Sequence, residues 1–264
     1  MTLRTALAQG TKLLEDGAID APRLTAEVLL AHALRVERVY LTAHSGDELS
    51  ELGWIHYGRY LHQRLRRTPT QYITKRQEFY GREFHVEPGV LIPRPETELL
   101  VEAVLPFIQP SMWVLDIGTG TGCIAVTIAR ETSARVFASD ISPDALRIAR
   151  RNGAVDIVQC DLGGAFADRS FDVVISNPPY VPSGDSLAPE VRDNEPAQAL
   201  FSGADGLDAI RRLIPEARRL VRPGGVLAFE FGYGQSAAIR ALLPGATITP
   251  DLAGIDRVAV WRCA

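Results

Sequence analysis

Phe171-Asp172-Val173-Val174-Ile175-Ser176-Asn177-Pro178-Pro179-Tyr180 is the stretch whose reading decides the fold. The apolar run over 171–175 predicts a strand buried on both faces, and the two prolines end it because neither can donate to a sheet ladder. Asn177 then sits at the carboxyl end of a strand, where open α/β sheets hold their ligands. Its side-chain oxygen and a proline-stiffened carbonyl are two acceptors, and Tyr180 adds a flat ring with a polar tip. Together they suit a planar group bearing an NH2. The bland alternative is a rigid turn, and the flanking sequence has to decide between them.

On both sides, strands alternate with helices. Met112-Trp113-Val114-Leu115 predicts a strand, followed by the glycine-rich turn Asp116-Ile117-Gly118-Thr119-Gly120-Thr121-Gly122 and a helix through Ile124, Ala125 and Ile128. Arg135-Val136-Phe137-Ala138-Ser139 predicts a second strand ending at Asp140, and Pro143 opens the next helix. Val155-Asp156-Ile157-Val158 predicts a third, ending near Cys160-Asp161. After the 171–175 strand comes a polar loop and then a helix over about 206–221. Pro223-Gly224-Gly225 turns into a strand over 226–230, a helix covers 235–243, and short strands lie near 246–249 and 257–261. Such alternation predicts a parallel sheet with helices on both faces.

Upstream, residues 1–68 predict a small helical bundle. Leu3, Leu7, Leu13 and Leu14 fall at helical spacing, and Asp20 and Pro22 mark a helix start. A last helix over about 47–65 ends in Arg64, Arg66 and Arg67, read as a solvated basic end that suits the helix dipole, and Pro69 stops it. Residues 69–92 predict a hairpin linker, with Gln77-Glu78-Phe79-Tyr80 and Glu83-Phe84-His85-Val86 flanking Gly81-Arg82. Pro93-Arg94-Pro95-Glu96 leads into a helix carrying Leu99, Leu100, Ala103 and Val104, and for Arg94 two readings stand, a carboxylate that it faces or a structural ion pair. The expected division is 1–68 for substrate recognition, 69–92 as linker and 93–264 as the α/β domain.

Composition narrows the function classes. The chain has 264 residues, 46% hydrophobic and 23% charged, with a formal net charge of -4, a balance that argues against nucleic acid as direct substrate. Its three cysteines, Cys123, Cys160 and Cys263, show neither a zinc spacing nor a disulfide framework, so no metal is expected. No apolar run suits a signal peptide or a membrane span. The expectation is a cytoplasmic monomer without a membrane partner.

The glycine-rich turn lets the backbone approach a ligand closely. Cys123 stands where the third glycine of the dinucleotide pattern G-x-G-x-x-G would be, so an NAD oxidoreductase is disfavoured, and no lysine follows to make a phosphate-gripping loop. Asp140 can take both ribose hydroxyls, and Asp161 can accept from an adenine amino group. The expected ligand is an adenosine without a triphosphate. S-adenosylmethionine fits, since its sulfonium and ammonium charges call for carboxylates such as Asp116.

The Asp-x-Gly-x-Gly-x-Gly turn at 116–122, Asp140 and Asn177-Pro178-Pro179-Tyr180 together resemble the Rossmann-like, seven-stranded S-adenosylmethionine-dependent methyltransferases. That resemblance implies cofactor contacts across Asp116, Gly118, Thr119, Gly120, Thr121, Gly122, Asp140, Asp161, Leu162 and Asn177. It also implies methylation of a nitrogen conjugated to a π system, with Asn177, Pro178, Pro179 and Tyr180 as catalytic residues. Phe79-Tyr80-Gly81, Ile92-Pro93-Arg94-Pro95-Glu96-Thr97-Glu98, Asn194-Glu195-Pro196 and Gly203-Ala204-Asp205-Gly206-Leu207 are similar to the HemK-type peptide chain release factor glutamine methyltransferases. The implied substrate is the glutamine of the Gly-Gly-Gln motif in release factors. The chain departs from that pattern at Gln198 and Ala199, where Arg-Leu is frequent, and at Leu162, where some members carry an aromatic. Two alternatives use the same residues: a DNA adenine-N6 or cytosine-N4 methyltransferase acting on a flipped base, and a non-catalytic adenosyl-binding module. The acidic balance and the lack of a further target-reading domain argue against the first, and the intact clamp argues against the second.

Overall fold

The computed structural model describes residues 1–154 and 156–264; Val155, expected to begin the third strand, lies outside the described residues. In chain order the helices are α1 (Leu3–Asp16), α2 (Pro22–Leu34), α3 (Arg38–Ala43), α4 (Glu51–Leu65), α5 (Thr70–Thr74), α6 (Glu98–Val104), α7 (Cys123–Glu131), α8 (Pro143–Arg151), α9 (Pro189–Arg192), α10 (Ala197–Leu200), α11 (Asp208–Leu220) and α12 (Ser236–Leu242). The strands are β1 (Arg76–Phe79), β2 (Arg82–His85), β3 (Trp113–Ile117), β4 (Arg135–Asp140), β5 (Asp156–Gln159), β6 (Phe171–Ser176), β7 (Val221–Glu230), β8 (Thr247–Pro250) and β9 (Asp256–Arg262). The chain divides into two compact units. Met1–Lys75 and Ala188–Asn194 form one; Arg76–Leu187 and Glu195–Ala264 form the other.

In the first unit the Thr2 and Ser50 hydroxyls accept from the Thr5 and Gly53 amides and so cap α1 and α4. Pro22 opens α2, where a missing N–H costs nothing. Leu7, Leu14, Leu29, Leu30 and Leu61 bury their side chains around Tyr57. Two features differ from the sequence reading. The segment 70–74 is helical and belongs to this unit rather than to a linker. Arg64 is not part of a solvated helix end: it is 5% exposed, and its Nη2 donates to Glu190 of α9 at 2.8 Å. Asn194 strengthens the same corner, donating to the carbonyls of Arg67 and Glu190.

The second unit opens with the β1–β2 hairpin, in which Arg76 pairs with His85 and Phe79 with Arg82. Its two-residue turn, Tyr80 and Gly81, has φ of 52° and 68°, the positive values that let a tight turn follow the twist of its strands. The main sheet has seven strands in the order β5-β4-β3-β6-β7-β9-β8. Successive side chains leave opposite faces. Val114, Val173 and Ala228 join Leu100, Val101 and Ile128 of α6 and α7 on one face. Leu115, Val174 and Phe229 join Leu213, Ala217 and Leu220 of α11 on the other. The all-parallel expectation needs correcting at one strand. β9 runs antiparallel to both β7 and β8, because β8 and β9 are joined by the short turn at Asp251–Ile255, too short for a crossover. β7 also begins at Val221, and Pro223-Gly224-Gly225 forms an irregularity inside it rather than a turn before it.

β3 lies between β4 and β6: the chain runs outward from β3 through β4 to β5, then crosses back to place β6 on the other side of β3. The carboxyl ends of β3, β4 and β6 therefore open a crevice at the switch point, where doubly wound sheets bind ligands.

Candidate active site

β3 ends in Asp116-Ile117, and the chain then turns through Gly118, Gly120 and Gly122, with φ of 70°, 55° and 80°. Only glycine adopts such values freely at three alternate positions. Gly122 also lies against α8, since a Cβ there would approach Ala149 to 3.0 Å. Asp116 is fully buried beneath the turn, and its Oδ2 accepts from the Thr119 hydroxyl at 2.6 Å. Its Oδ1 closes no hydrogen bond among the described residues. Burial pushes this carboxyl up to about 7, against the pull of the Thr119 hydroxyl and the Ala125 amide in the first turn of α7.

Asp140 closes β4 beside it. Its Oδ2 accepts from the Gly120 amide at 2.9 Å and its Oδ1 from the Ser142 amide at 2.8 Å. Burial raises its pKa, with those amides opposing. Asp161, beyond β5, is exposed and paired with Arg212. Leu162 has φ of 51°, and its carbonyl accepts from Ser139 Oγ at 2.8 Å, which holds a strained residue in place.

A cavity of about 310 Å³ opens over these strand ends. Of the expected residues, Gly118, Gly120, Asp140, Asp161, Leu162, Asn177, Pro178 and Pro179 line it, with Leu91, Ile141 and Ala199 among its apolar walls. Asp116, Thr119, Thr121, Gly122 and Tyr180 do not reach its wall. The first four form or underlie the turn, and Tyr180 packs against the α11 face of the core. The lining fits a cationic adenosyl ligand. Acids stand at consecutive strand ends, Arg212, the one basic group in the lining among the described residues, is tied to Asp161, and apolar side chains remain for a purine face.

At the end of β6, Asn177 Nδ2 donates to the Thr97 hydroxyl at 3.0 Å. That leaves Asn177 Oδ1 and the Pro178 carbonyl accepting no hydrogen bond among the described residues. The Tyr180 hydroxyl donates to Glu230 Oε1 at 2.9 Å, and burial together with that acid drives the phenol pKa upward. Gln235 Nε2 donates to the Tyr180 carbonyl at 3.0 Å and to the Asp205 carbonyl at 3.2 Å. Gly206, at φ of 75°, permits this packing: a Cβ there would fall 2.2 Å from the Tyr180 carbonyl oxygen. On the opposite side, Arg94 Nη2 donates to Glu195 Oε1 at 2.5 Å, and the Ile92 amide donates to Glu195 Oε2 at 2.9 Å. Of the two readings of Arg94, the structure gives the structural ion pair, with Glu195, whose side chain is 1% exposed.

Sequence reasoning missed Thr97, Glu230 and Gln235 as parts of this site. Glu230 carried a signal, an acid closing the apolar strand beside β6. Thr97 and Gln235 reach the clamp only through the tertiary fold.

Comparison with known proteins agrees with this geometry. Residues 5–74 match the PrmC N-terminal domain model, and residues 114–194 match a methyltransferase domain model. The chain is 43% identical to the release factor glutamine methyltransferase of Koribacter versatilis, over 99% of both chains. It is 40% identical to that of Moorella thermoacetica, over 97% of both, and 42% identical to that of Neisseria gonorrhoeae, over 93% and 95%. Among solved structures, a methyltransferase from Pyrococcus furiosus aligns with a TM-score of 0.52 at 18% identity, covering 73% of this chain and 93% of that one. A chain of the E. cuniculi Mtq2-Trm112 complex, described as responsible for methylation of the eRF1 translation termination factor, aligns at 0.50 and 22%, covering 66% and 99%. These two likenesses support the S-adenosylmethionine-dependent methyltransferase fold. With relatives this similar along its whole length, the chain belongs to the release factor glutamine methyltransferase family.

Proposed function

We propose that this chain methylates the side-chain amide nitrogen of the glutamine in the Gly-Gly-Gln motif of peptide chain release factors, in the cytoplasm. The observation that carries the reading is the pair of free acceptors, Asn177 Oδ1 and the Pro178 carbonyl, at the edge of the cavity that fits the cofactor. S-adenosylmethionine, when bound, supplies a methyl group on its sulfonium. Gly118, Gly120, Asp140, Asp161 and Leu162 would hold it from the cavity wall, with Asp116 beneath the turn keeping the Thr119 side of that turn in place.

An amide nitrogen is a poor nucleophile because its lone pair is shared with the carbonyl. No strong base is needed to use it. Asn177 Oδ1 and the Pro178 carbonyl would accept its two N–H groups, hold the nitrogen at the cavity edge, and favour the positive charge that grows as the lone pair leaves conjugation. As the N–CH3 bond forms the S–CH3 bond breaks, a neutral thioether leaves, and one N–H proton passes to water. Pro179 keeps the Pro178 carbonyl rigid. Tyr180, held at its hydroxyl by Glu230 and at its carbonyl by Gln235, stands behind the cavity wall and fixes the backbone that follows Pro179.

The helical unit of residues 1–75 recognises the release factor outside the Gly-Gly-Gln motif. Its support is an exposed apolar set, Val39 at 75%, Leu52 at 65% and Ile55 at 57%. The test is methyl transfer from labelled S-adenosylmethionine to a purified release factor and to a Gln→Ala variant of its Gly-Gly-Gln motif. Label in the first and none in the second is the expected result. Label in both, or in duplex oligonucleotides instead, contradicts the proposal.

A further inference from the structure

Thr97 is 2% exposed and Glu230 1% exposed, yet each touches one arm of the clamp. Thr97 Oγ1 accepts from Asn177 Nδ2 at 3.0 Å, and Glu230 Oε1 accepts from the Tyr180 hydroxyl at 2.9 Å. Thr97 also faces the Glu230 carboxylate and favours its charged form. Glu230 Oε2 closes no hydrogen bond among the described residues, which leaves a buried acceptor on the carboxylate that Thr97 faces. The other charges acting on Glu230 are Arg257 of β9, which favours the carboxylate, and Glu96, which opposes it.

An asparagine amide presents oxygen or nitrogen according to its hydrogen-bond neighbours. A carboxylate only accepts, so it turns the Thr97 proton toward itself. Thr97 then accepts from Asn177, whose nitrogen is drawn inward and whose oxygen is left facing the cavity. With a proton on Glu230 the chain can run backwards: Glu230 donates to Thr97, Thr97 donates to Asn177 Oδ1, and the NH2 faces outward. An outward NH2 repels the substrate amide's own N–H groups. We infer that Glu230 and Thr97 are positioning residues that set the polarity of the Asn177 amide, so that its oxygen is the group offered to substrate. This rests on the reading of the site as an amide clamp.

The experiment compares wild-type protein with Thr97→Val, Thr97→Ser and Glu230→Gln. Thr97→Val, close in shape but without the hydroxyl, is expected to lower kcat about 100-fold while the KM for S-adenosylmethionine stays within about threefold. Thr97→Ser keeps the donor and acceptor and is expected to restore kcat to within about threefold of wild type. Wild-type kcat should fall as pH drops and Glu230 takes up a proton, at a higher pH than an ordinary glutamate because burial raises its pKa. Glu230→Gln should lose that acid limb, while any limb due to Asp116 persists in both proteins. A second measurement needs no substrate. The side-chain NH2 resonances of Asn177, assigned by their absence in Asn177→Asp, should exchange slowly with solvent at pH 8 in wild type and fast in Thr97→Val. Wild-type kcat in Thr97→Val, or equal exchange in the two proteins, overturns the inference. Failure of the wild-type protein to label any release factor overturns the proposed substrate instead, and the exchange measurement still reads the amide.

Discussion

Asp116 and Glu230 are both buried acids near the carboxyl ends of neighbouring parts of one sheet, and burial raises the pKa of each. They are held in opposite ways. Asp116 is served by Thr119, three residues on, within one glycine-rich turn. Glu230 is served by Tyr180, 50 residues back, and by Thr97 before the sheet begins. The acid under the glycine-rich turn is therefore held by local sequence, and the acid behind the clamp by residues that only the tertiary fold assembles. A local site tolerates change elsewhere in the chain. A non-local one depends on every element that meets there.

Asn177→Ala should have the largest effect. It removes the acceptor offered to the substrate amide from a residue that also lines the cofactor cavity, so kcat should fall by about 10²- to 10³-fold while cofactor affinity is spared in part, read by steady-state kinetics and calorimetry. A parallel loss of cofactor binding would merge the two sides. Tyr180→Phe leaves Glu230 Oε1 buried without its donor, which should cost about 1–3 kcal/mol in denaturant unfolding, beyond any effect on turnover. Unchanged stability would mean that the hydroxyl does not serve the acid.

Asp116→Asn sharpens the other side through pH. The Asp116 carboxyl moves from its ordinary 3.8 to about 7 on folding, so between those values the folded protein holds a proton that the unfolded chain lacks. Its contribution to stability is fullest below about 4 and is lost as pH rises through about 7. The cofactor-free variant should therefore gain thermal stability relative to wild type on going from pH 5 to pH 8. A difference that does not change with pH contradicts the assignment. Asp161→Asn should matter least. Its ion pair with Arg212 is exposed, so cofactor affinity should weaken by only about threefold and the unfolding midpoint should barely move.

The same contrast explains what the sequence made legible. The strands, the glycine turn and Asn177 at the end of β6 follow from short-range pattern, since apolar runs, prolines and glycines act on the backbone where they stand. The helices α3 and α5 span six and five residues, too few for a periodicity to register. Arg64 looked like a solvated helix end because its partner Glu190 lies 126 residues away. The antiparallel course of β9 follows from connection length rather than from apolar pattern. Tyr180 carried a clear signal as a ring beside the substrate, but its tertiary surroundings turn its hydroxyl into the core toward Glu230 and leave it off the cavity wall.

The measurement that bears most directly on the account is a crystal structure of the protein with S-adenosylhomocysteine and a Gly-Gly-Gln peptide. The account predicts the glutamine amide nitrogen within about 3 Å of both Asn177 Oδ1 and the Pro178 carbonyl oxygen. A glutamine amide bound away from those two acceptors, with the peptide otherwise ordered, would contradict it.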